Sequence, residues 1–452
     1  MKHFTLRELV AATGGTYFGD PAALDGRIAF VTSDSREVKP GALFVAFAGA
    51  RADGHDFMAD CLRAGAACCL SERDPRPDEQ PCVRVDSTLR AIGALAAWHR
   101  SRFDIPVVGV TGSVGKTTTK EMLAAVLSAR FNVHKTEKNF NNELGVPWTL
   151  LKLDDAHEVS VVEMGISDFG EMSRLTRMVR PNIAVLSAIA DSHLEFLGDR
   201  EGVLRAKAEI FETMGKDDLA VLNGDDALLG RFHPPTRRLT YGMEPGNDFI
   251  AENIENLGIR GARCTIRHGA SAFEATIPAY GVHMIYAALA AAAVGSALGM
   301  RDAEIAEGIS RFRNVGERAH VIETGRLTIV SDCYNANPTS TAAAIDSLAA
   351  LPGRKVCILG DMLELGENTA ALHEGVGEHA AKRGIDLILT TGELSRSTYE
   401  GAKRAGGNAV WFPDKAALVA ALPEWIRTGD CVLVKASHSM AFEEITEALK
   451  TL

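Results

Sequence analysis

Apolar runs alternate with amphipathic stretches along most of this chain. Residues 105–110 are almost wholly apolar and predict a buried strand. From Lys116 the period changes, with Met122, Leu123, Val126 and Leu127 on one face of a predicted helix. Further runs predict strands at 159–164, 183–189 and 219–223 with helices between them, which implies a largely parallel, doubly wound sheet. A second α/β series follows at 327–330, 355–359, 386–390, 409–412 and 431–435, enough for a separate Rossmann-like domain. No Gly-x-Gly-x-x-Gly run follows its first strand, so no dinucleotide is expected there. Ahead of both, a helix at 5–13 and short strands at 28–32 and 43–46 predict a small α/β module, and a helix at 89–99 then leads into the middle domain. The expected fold is therefore α/β in three domains, at residues 1–86, 87–316 and 317–452, and 452 residues are too many for one core. The alanine-rich run 284–298 is shorter than the roughly 20 residues of a membrane span and predicts a buried helix.

Between the first strand and helix of the middle domain stands Thr111-Gly-Ser-Val-Gly-Lys-Thr-Thr118. Gly112 and Gly115 let backbone N–H groups close on an anion, and the helix N-terminus adds its positive end. Lys116 would reach terminal phosphates and Thr117 would hold Mg²⁺. Val110 stands where the strict phosphate-loop pattern has its first glycine, yet strand, glycine loop, lysine and helix still predict a nucleotide site. Glu163 ends the next strand and His193 lies just past the one after, so both face the edge where open sheets bind ligands. Asn139-Phe-Asn-Asn-Glu-Leu-Gly-Val-Pro147 is either a loop with an Asn helix cap or a polar cradle for substrate. Asp34-Ser35-Arg36 and Asp53-Gly-His55-Asp-Phe57 read first as turns, with Arg36 the one cation in them. Residues 74–81 read as a proline-rich surface loop. Lys207, taken alone, reads as a solvated helix lysine.

Charge and cysteines narrow the class. A net charge of −11 argues against a nucleic-acid binder. Eight scattered cysteines without a Cys-x-x-Cys pair suit reduced core residues of a cytoplasmic protein. The first ten residues contain no apolar signal core.

The order of these motifs resembles the Mur ligases. Asp53 to Phe57, Tyr334-Asn-Ala-Asn-Pro338 after Asp332, and Gly360-Asp-Met-Leu-Glu-Leu-Gly366 narrow the resemblance to the branch that adds D-alanyl-D-alanine to UDP-MurNAc-tripeptide. That resemblance covers nearly the whole chain. It implies an ATP-dependent amide ligase of peptidoglycan synthesis, working through an acyl phosphate, monomeric, with no nucleic-acid partner and no membrane span. It implies two Mg²⁺ ions, one held by Thr117 and Glu163, the other by His193 and a carbamylated Lys207. It places Thr111, Gly112, Ser113, Val114, Gly115, Lys116, Thr117, Thr118, His283, Arg318, Asp332 and Asn335 at ATP. Ser35, Arg36, Asp53, His55, Asn139 and Asn142 fall at the UDP-linked substrate, and the run Lys435 to Met440 resembles a closing segment. The chain departs from the family pattern at Val114, Ala188, Met284, Ala287 and Ala436. Of these, Met284 and Ala287 replace two asparagines and imply weaker reading of adenine. The diaminopimelate- or lysine-adding and folylpolyglutamate-forming relatives, a catalytically eroded nucleotide-binding protein and a simple phosphotransferase are the competing readings.

Overall fold

The computed structural model describes all residues except Ala50, Arg51, Val315 and Glu317. Glu317, the expected first residue of the third domain, therefore lies outside the described residues. Three main sheets follow one another along the chain.

The first has five strands in the order Thr16–Phe18, Cys82–Arg84, Cys68–Ser71, Ala42–Val45 and Phe30–Thr32. Only the outer Thr16–Phe18 runs antiparallel. The helix Leu6–Thr13 begins one residue later than expected because Thr5 caps it reciprocally with Glu8. Residues 74–81 are not merely a surface loop. Glu79 within them is fully buried, its carboxylate held by Arg73 and Arg76.

Nine strands make the central sheet, in the order Ser271–Ile277, Ala262–His268, Phe249–Asn256, Arg237–Gly242, Leu219–Asn223, Ile183–Leu186, Val107–Thr111, Val159–Glu163 and Val133–Lys135. Seven of them, from Val133–Lys135 to Phe249–Asn256, are parallel, and every residue of Val107–Thr111 and Val159–Glu163 is buried, as a sheet covered on both faces requires. The other two form an antiparallel meander with Phe249–Asn256. The sequence reading missed this meander because its strands carry Glu, Arg and Thr on an exposed face and lack a continuous apolar run. The helix Met284–Ala297 is buried on almost every side, as its alanines predict. It packs against the helix Lys116–Leu127 behind the sheet.

The third sheet has six strands, His320–Glu323, Thr328–Ser331, Cys431–Lys435, Lys355–Leu359, Leu387–Thr391 and Ala409–Phe412. The five expected strands are parallel, and the unforeseen His320–Glu323 adds an antiparallel edge. One apolar core runs unbroken from the first sheet, through Leu95 of the helix Thr88–Arg100, to one face of the central sheet. The first two sheets are thereby fixed to each other. Tyr280 and Ile259 of the central part pack into the core of the third. All eight cysteines are buried and free. No helix among the described residues is long and apolar enough to cross a membrane.

Candidate active site

The strand Val107–Thr111 sits between Val159–Glu163 and Ile183–Leu186, so the loops after these three strands meet at one edge of the sheet. Sheet order thus brings residues from three distant stretches together. Gly112 takes φ 149° and Gly115 φ 83°, backbone values that favour glycine. A Cβ on Gly112 would overlap the Ser187 hydroxyl, so the loop admits no side chain there. The segment after Ile183–Leu186 braces the loop from beneath. Ser113 N donates to Ala188 O at 2.7 Å, and the Ser113 hydroxyl to Ala190 O at 3.2 Å. Ala188 thus supports the loop through its backbone, which an asparagine could do equally well. Lys116 Nζ arches over the loop and donates to Gly112 O at 2.7 Å. Burial pushes that amine below its ordinary value, Glu163 opposes the shift and Arg318 adds to it.

Glu163 is 1 % exposed. Its Oε1 accepts from Thr117 Oγ1 at 3.0 Å and from Asn141 Nδ2 at 2.8 Å. Its Oε2 is buried with no hydrogen-bond partner, and the nearest cation, Lys120 Nζ, stands 3.9 Å away. An orphaned carboxylate oxygen beside a threonine hydroxyl suits a hard divalent cation, which prefers oxygen ligands. Lys120 is itself fully buried, donates to Thr136 O at 2.9 Å and pairs with Glu121 at 2.7 Å.

Lys207 overturns the expectation of a solvated lysine, being 1 % exposed. Burial, and then the nearby Lys116 charge, hold its amine well below the ordinary value. His193 takes a left-handed backbone, φ 54°, and its Nδ1 lies 2.6 Å from Glu364 Oε2. Burial lowers the imidazole and Glu364 opposes the shift. As it stands, this second group offers only nitrogen donors to a hard cation. Carbamylation of Lys207 would supply the missing oxygens, and a buried amine held neutral is the form that reacts with CO₂. Among the described residues no cluster of three or more His, Cys, Asp or Glu is present that could hold a metal.

Lys116, Thr117, Glu163 and His193 open into a cleft of about 430 Å³ between the central and third sheets, and Lys207 is not part of its lining. Ser113, Val114, Gly115, Thr117, Thr118, Asn142, His283, Arg318, Asp332 and Asn335 all line it, and so does Met284. Thr111 and Gly112 are not part of its lining. Ala287, buried one turn further along the helix, does not reach it. From the third domain, Lys435 Nζ pairs with Asp332 at 2.5 Å and donates to Asn335 O at 2.9 Å. Asp332 also accepts from Ala319 N at 3.2 Å, which ties down the segment carrying Arg318. The Arg318 guanidinium lies over the Tyr334 ring at 3.8 Å. Ala436 is wholly buried against the position where a Gly360 Cβ would stand, so a methyl is accommodated in the closing segment.

Other expected residues are elsewhere. Asn139 is exposed and outside the cleft lining, whereas Asn141, which was passed over, touches Glu163. Asn142 Oδ1 accepts from Leu144 N and Gly145 N ahead of the helix Gly145–Leu151, and the residue also lines the cleft. Ser35, Arg36, Asp53 and His55 belong to the first domain and do not line the cleft. Arg36 is pinned to Asp34 at 2.6 Å but remains open to solvent. His55 has both ring nitrogens engaged within the first domain. Its Nδ1 meets Asp53 Oδ1 at 2.6 Å and its Nε2 accepts from Glu72 N at 3.1 Å, so neither ring nitrogen is free.

A phosphate-binding loop in a parallel sheet, faced by a second α/β domain across a cleft, defines a nucleotide-dependent enzyme of the Mur ligase type. Family models agree along the chain: "Mur ligase family, catalytic domain" over residues 27–100, "Mur ligase middle domain" over 110–295 and "Mur ligase, glutamate ligase domain" over 317–438. The UDP-N-acetylmuramoyl-tripeptide–D-alanyl-D-alanine ligase of Bacillus subtilis is 37% identical, covering 93% of this chain and 92% of its own. A crystal structure of MurF from Acinetobacter baumannii superposes with a TM-score of 0.92 at 30% identity, covering 100% of both chains. MurF from Thermotoga maritima, solved in complex with ADP, gives 0.84 at 30% identity over 94% of this chain and 97% of that one. The chain belongs to the MurF family, the UDP-N-acetylmuramoyl-tripeptide–D-alanyl-D-alanine ligases.

Proposed function

We propose that this protein uses ATP to join D-alanyl-D-alanine to the terminal carboxylate of UDP-MurNAc-tripeptide, completing the pentapeptide precursor of peptidoglycan. The observation that carries this reading is the facing pair in the cleft, Lys116 on a glycine loop and Glu163 with an unpartnered oxygen, closed over by Arg318, Asp332 and Lys435. Family membership supplies the substrates. A carboxylate resists attack by an amine at neutral pH, so the ATP γ-phosphoryl group is first transferred to it, giving an acyl phosphate and ADP. The dipeptide amine then attacks the acyl carbon and phosphate leaves.

The protein's task is to hold two anions together and balance their charge. Lys116 and the loop N–H groups carry the phosphates. Thr117 and Glu163 would hold one Mg²⁺, and His193 with a carbamylated Lys207 a second; these ions would neutralise charge on the transferring phosphoryl group and the acceptor carboxylate. Thr118, His283 and Asn335 line the nucleotide's side of the cleft, with Met284 packing against the base rather than reading its edge. Asn142, with Asn141 in place of Asn139, faces the peptide. Ser35 and Arg36 meet the uridine nucleotide, and Asp53 and His55 shape the turn beside them. The divisions near residues 86 and 316 mark where the three parts join. The reading further includes a cytoplasmic, monomeric enzyme.

The test is phosphate release from ATP by purified protein with UDP-MurNAc-tripeptide and magnesium, with and without D-alanyl-D-alanine. Release that depends on the dipeptide, with a pentapeptide product by mass, is expected. Retained nucleotide binding without turnover, for either the diaminopimelate or the lysine tripeptide, would overturn it in favour of an eroded site.

A further inference from the structure

The loop after the strand Thr328–Ser331 carries Tyr334, an aromatic residue in the wall of the cleft. Its backbone is framed on both sides. Asp332 N donates to Val434 O at 2.9 Å, and Lys435 Nζ donates to Asn335 O at 2.9 Å. Further on, Asn337 caps the helix Pro338–Ala349 by accepting from Ser340 N at 2.8 Å. The His438 ring packs beside that of Tyr334, 5.4 Å away between centroids and tilted by 31°. Over the ring so held lies the Arg318 guanidinium, 3.8 Å from its centroid. Arg318 has no carboxylate and no hydrogen-bond acceptor among the described residues, so its whole donor fork is uncommitted. It lines the cleft together with Lys116. With Thr117 and Thr118 it also borders a small void beside the start of the helix Lys116–Leu127. Burial lowers the Lys116 amine, Glu163 opposes this and Arg318 adds to it, so the two cations stand close enough to repel. Two cations drawn to one cleft, one of them a free planar fork, suit a phosphoryl group.

We propose that Tyr334 is a positioning residue whose ring face holds the Arg318 guanidinium toward the terminal phosphoryl group of the nucleotide, opposite Lys116. The inference rests on the ATP-dependent reading above. A long arginine side chain with no partner samples many rotamers and loses that freedom whenever it clamps an anion. Stacked on a fixed aromatic face, it has lost much of that freedom before the nucleotide arrives, and the clamp costs less to close.

The test uses the full chain with Mg²⁺ and compares ADP with the non-hydrolysable analogue AMPPCP by titration calorimetry. Wild type, Tyr334→Phe, Tyr334→Leu, Arg318→Ala and the double variant Arg318→Ala/Tyr334→Leu are measured. Wild type is expected to bind AMPPCP more tightly than ADP. Tyr334→Leu should reduce that preference by about 2- to 30-fold, the range a cation–π contact supplies, while ADP binds as it does to wild type. Tyr334→Phe, which keeps the ring face, should retain the preference. Arg318→Ala should lose it at least as far as Tyr334→Leu, and adding Tyr334→Leu to Arg318→Ala should cost nothing further. An unchanged preference in Tyr334→Leu or in Arg318→Ala would overturn the proposal, as would wild type without one. Equal weakening of ADP and AMPPCP in Tyr334→Leu would also overturn it, as the mark of a ring that only supports the fold. Every readout is of nucleotide binding, so the result stands apart from whether pentapeptide forms.

Discussion

Replacing Lys207 with methionine should make the folded protein more stable while abolishing ligation. The side chain is 1 % exposed, and its amine has no hydrogen-bond or ion-pair partner among the described residues. Burial first, and Lys116 second, hold that amine well below the ordinary lysine value. In the unfolded chain the amine stays protonated up to about pH 10.4. The unfolded state therefore binds more protons than the folded one below that value, and stability falls as pH falls. Each pH unit of that gap is worth about 1.4 kcal/mol, so at about pH 7 the lysine costs the fold at most about 4–5 kcal/mol. Methionine fills similar volume without an amine to desolvate. Urea unfolding in bicarbonate-free buffer should show a higher midpoint for Lys207→Met near neutral pH. The advantage should widen as pH is lowered and shrink toward pH 10. Added bicarbonate should narrow it, because carbamylation removes the unpaired amine from the wild type. A variant less stable than wild type near neutral pH, or an advantage that does not vary with pH, would refute the reasoning.

Gly112→Ala should abolish nucleotide binding measured by calorimetry, because its Cβ would overlap the Ser187 hydroxyl and its φ of 149° disfavours a side chain. Lys120→Met leaves the buried Glu163 without its nearest cation, although Glu121 keeps Lys135, and a one-sided deletion of this kind costs up to about 3–5 kcal/mol. Calorimetry should show a lowered melting transition that saturating Mg²⁺ and AMPPCP partly restore; an unchanged transition would mean Lys120 is dispensable. His99 and His134 are fully or nearly buried and pushed down to about 4. The unfolded chain takes up these protons below about pH 6.5 and the folded chain does not until about pH 4, so stability should fall across that window by up to about 3 kcal/mol per histidine. In His134→Gln the acid slope of urea stability should be shallower. His55→Ala should lower stability by about 1–3 kcal/mol, because Glu72 N loses its acceptor, while the KM for the UDP-linked substrate stays near wild type. A selective rise in KM would return His55 to the binding site.

The sequence determined whatever depends on neighbours along the chain. The strand, glycine loop and helix around Lys116 are local, so their period and glycines were enough to predict them. Parallel strands buried on both faces also announce themselves as apolar runs, and Leu219–Asn223 and Cys431–Lys435 fall where they were expected. The half-exposed strands 249–277 and the edge His320–Glu323 carry no such signal, because solvent accepts their polar face. Tertiary structure alone decided what depends on residues far apart. Lys207 looks solvated in sequence and is buried because the fold closes over it, and Lys120 looks like a helix lysine but lies behind Glu163. Of the three neighbouring asparagines, the fold turns Asn141 rather than Asn139 toward the carboxylate. Glu364 reaches His193 from 171 positions along the chain, across a domain boundary. Local pattern encodes which element forms; the charge and contacts of a side chain are fixed only when elements remote in sequence pack around it.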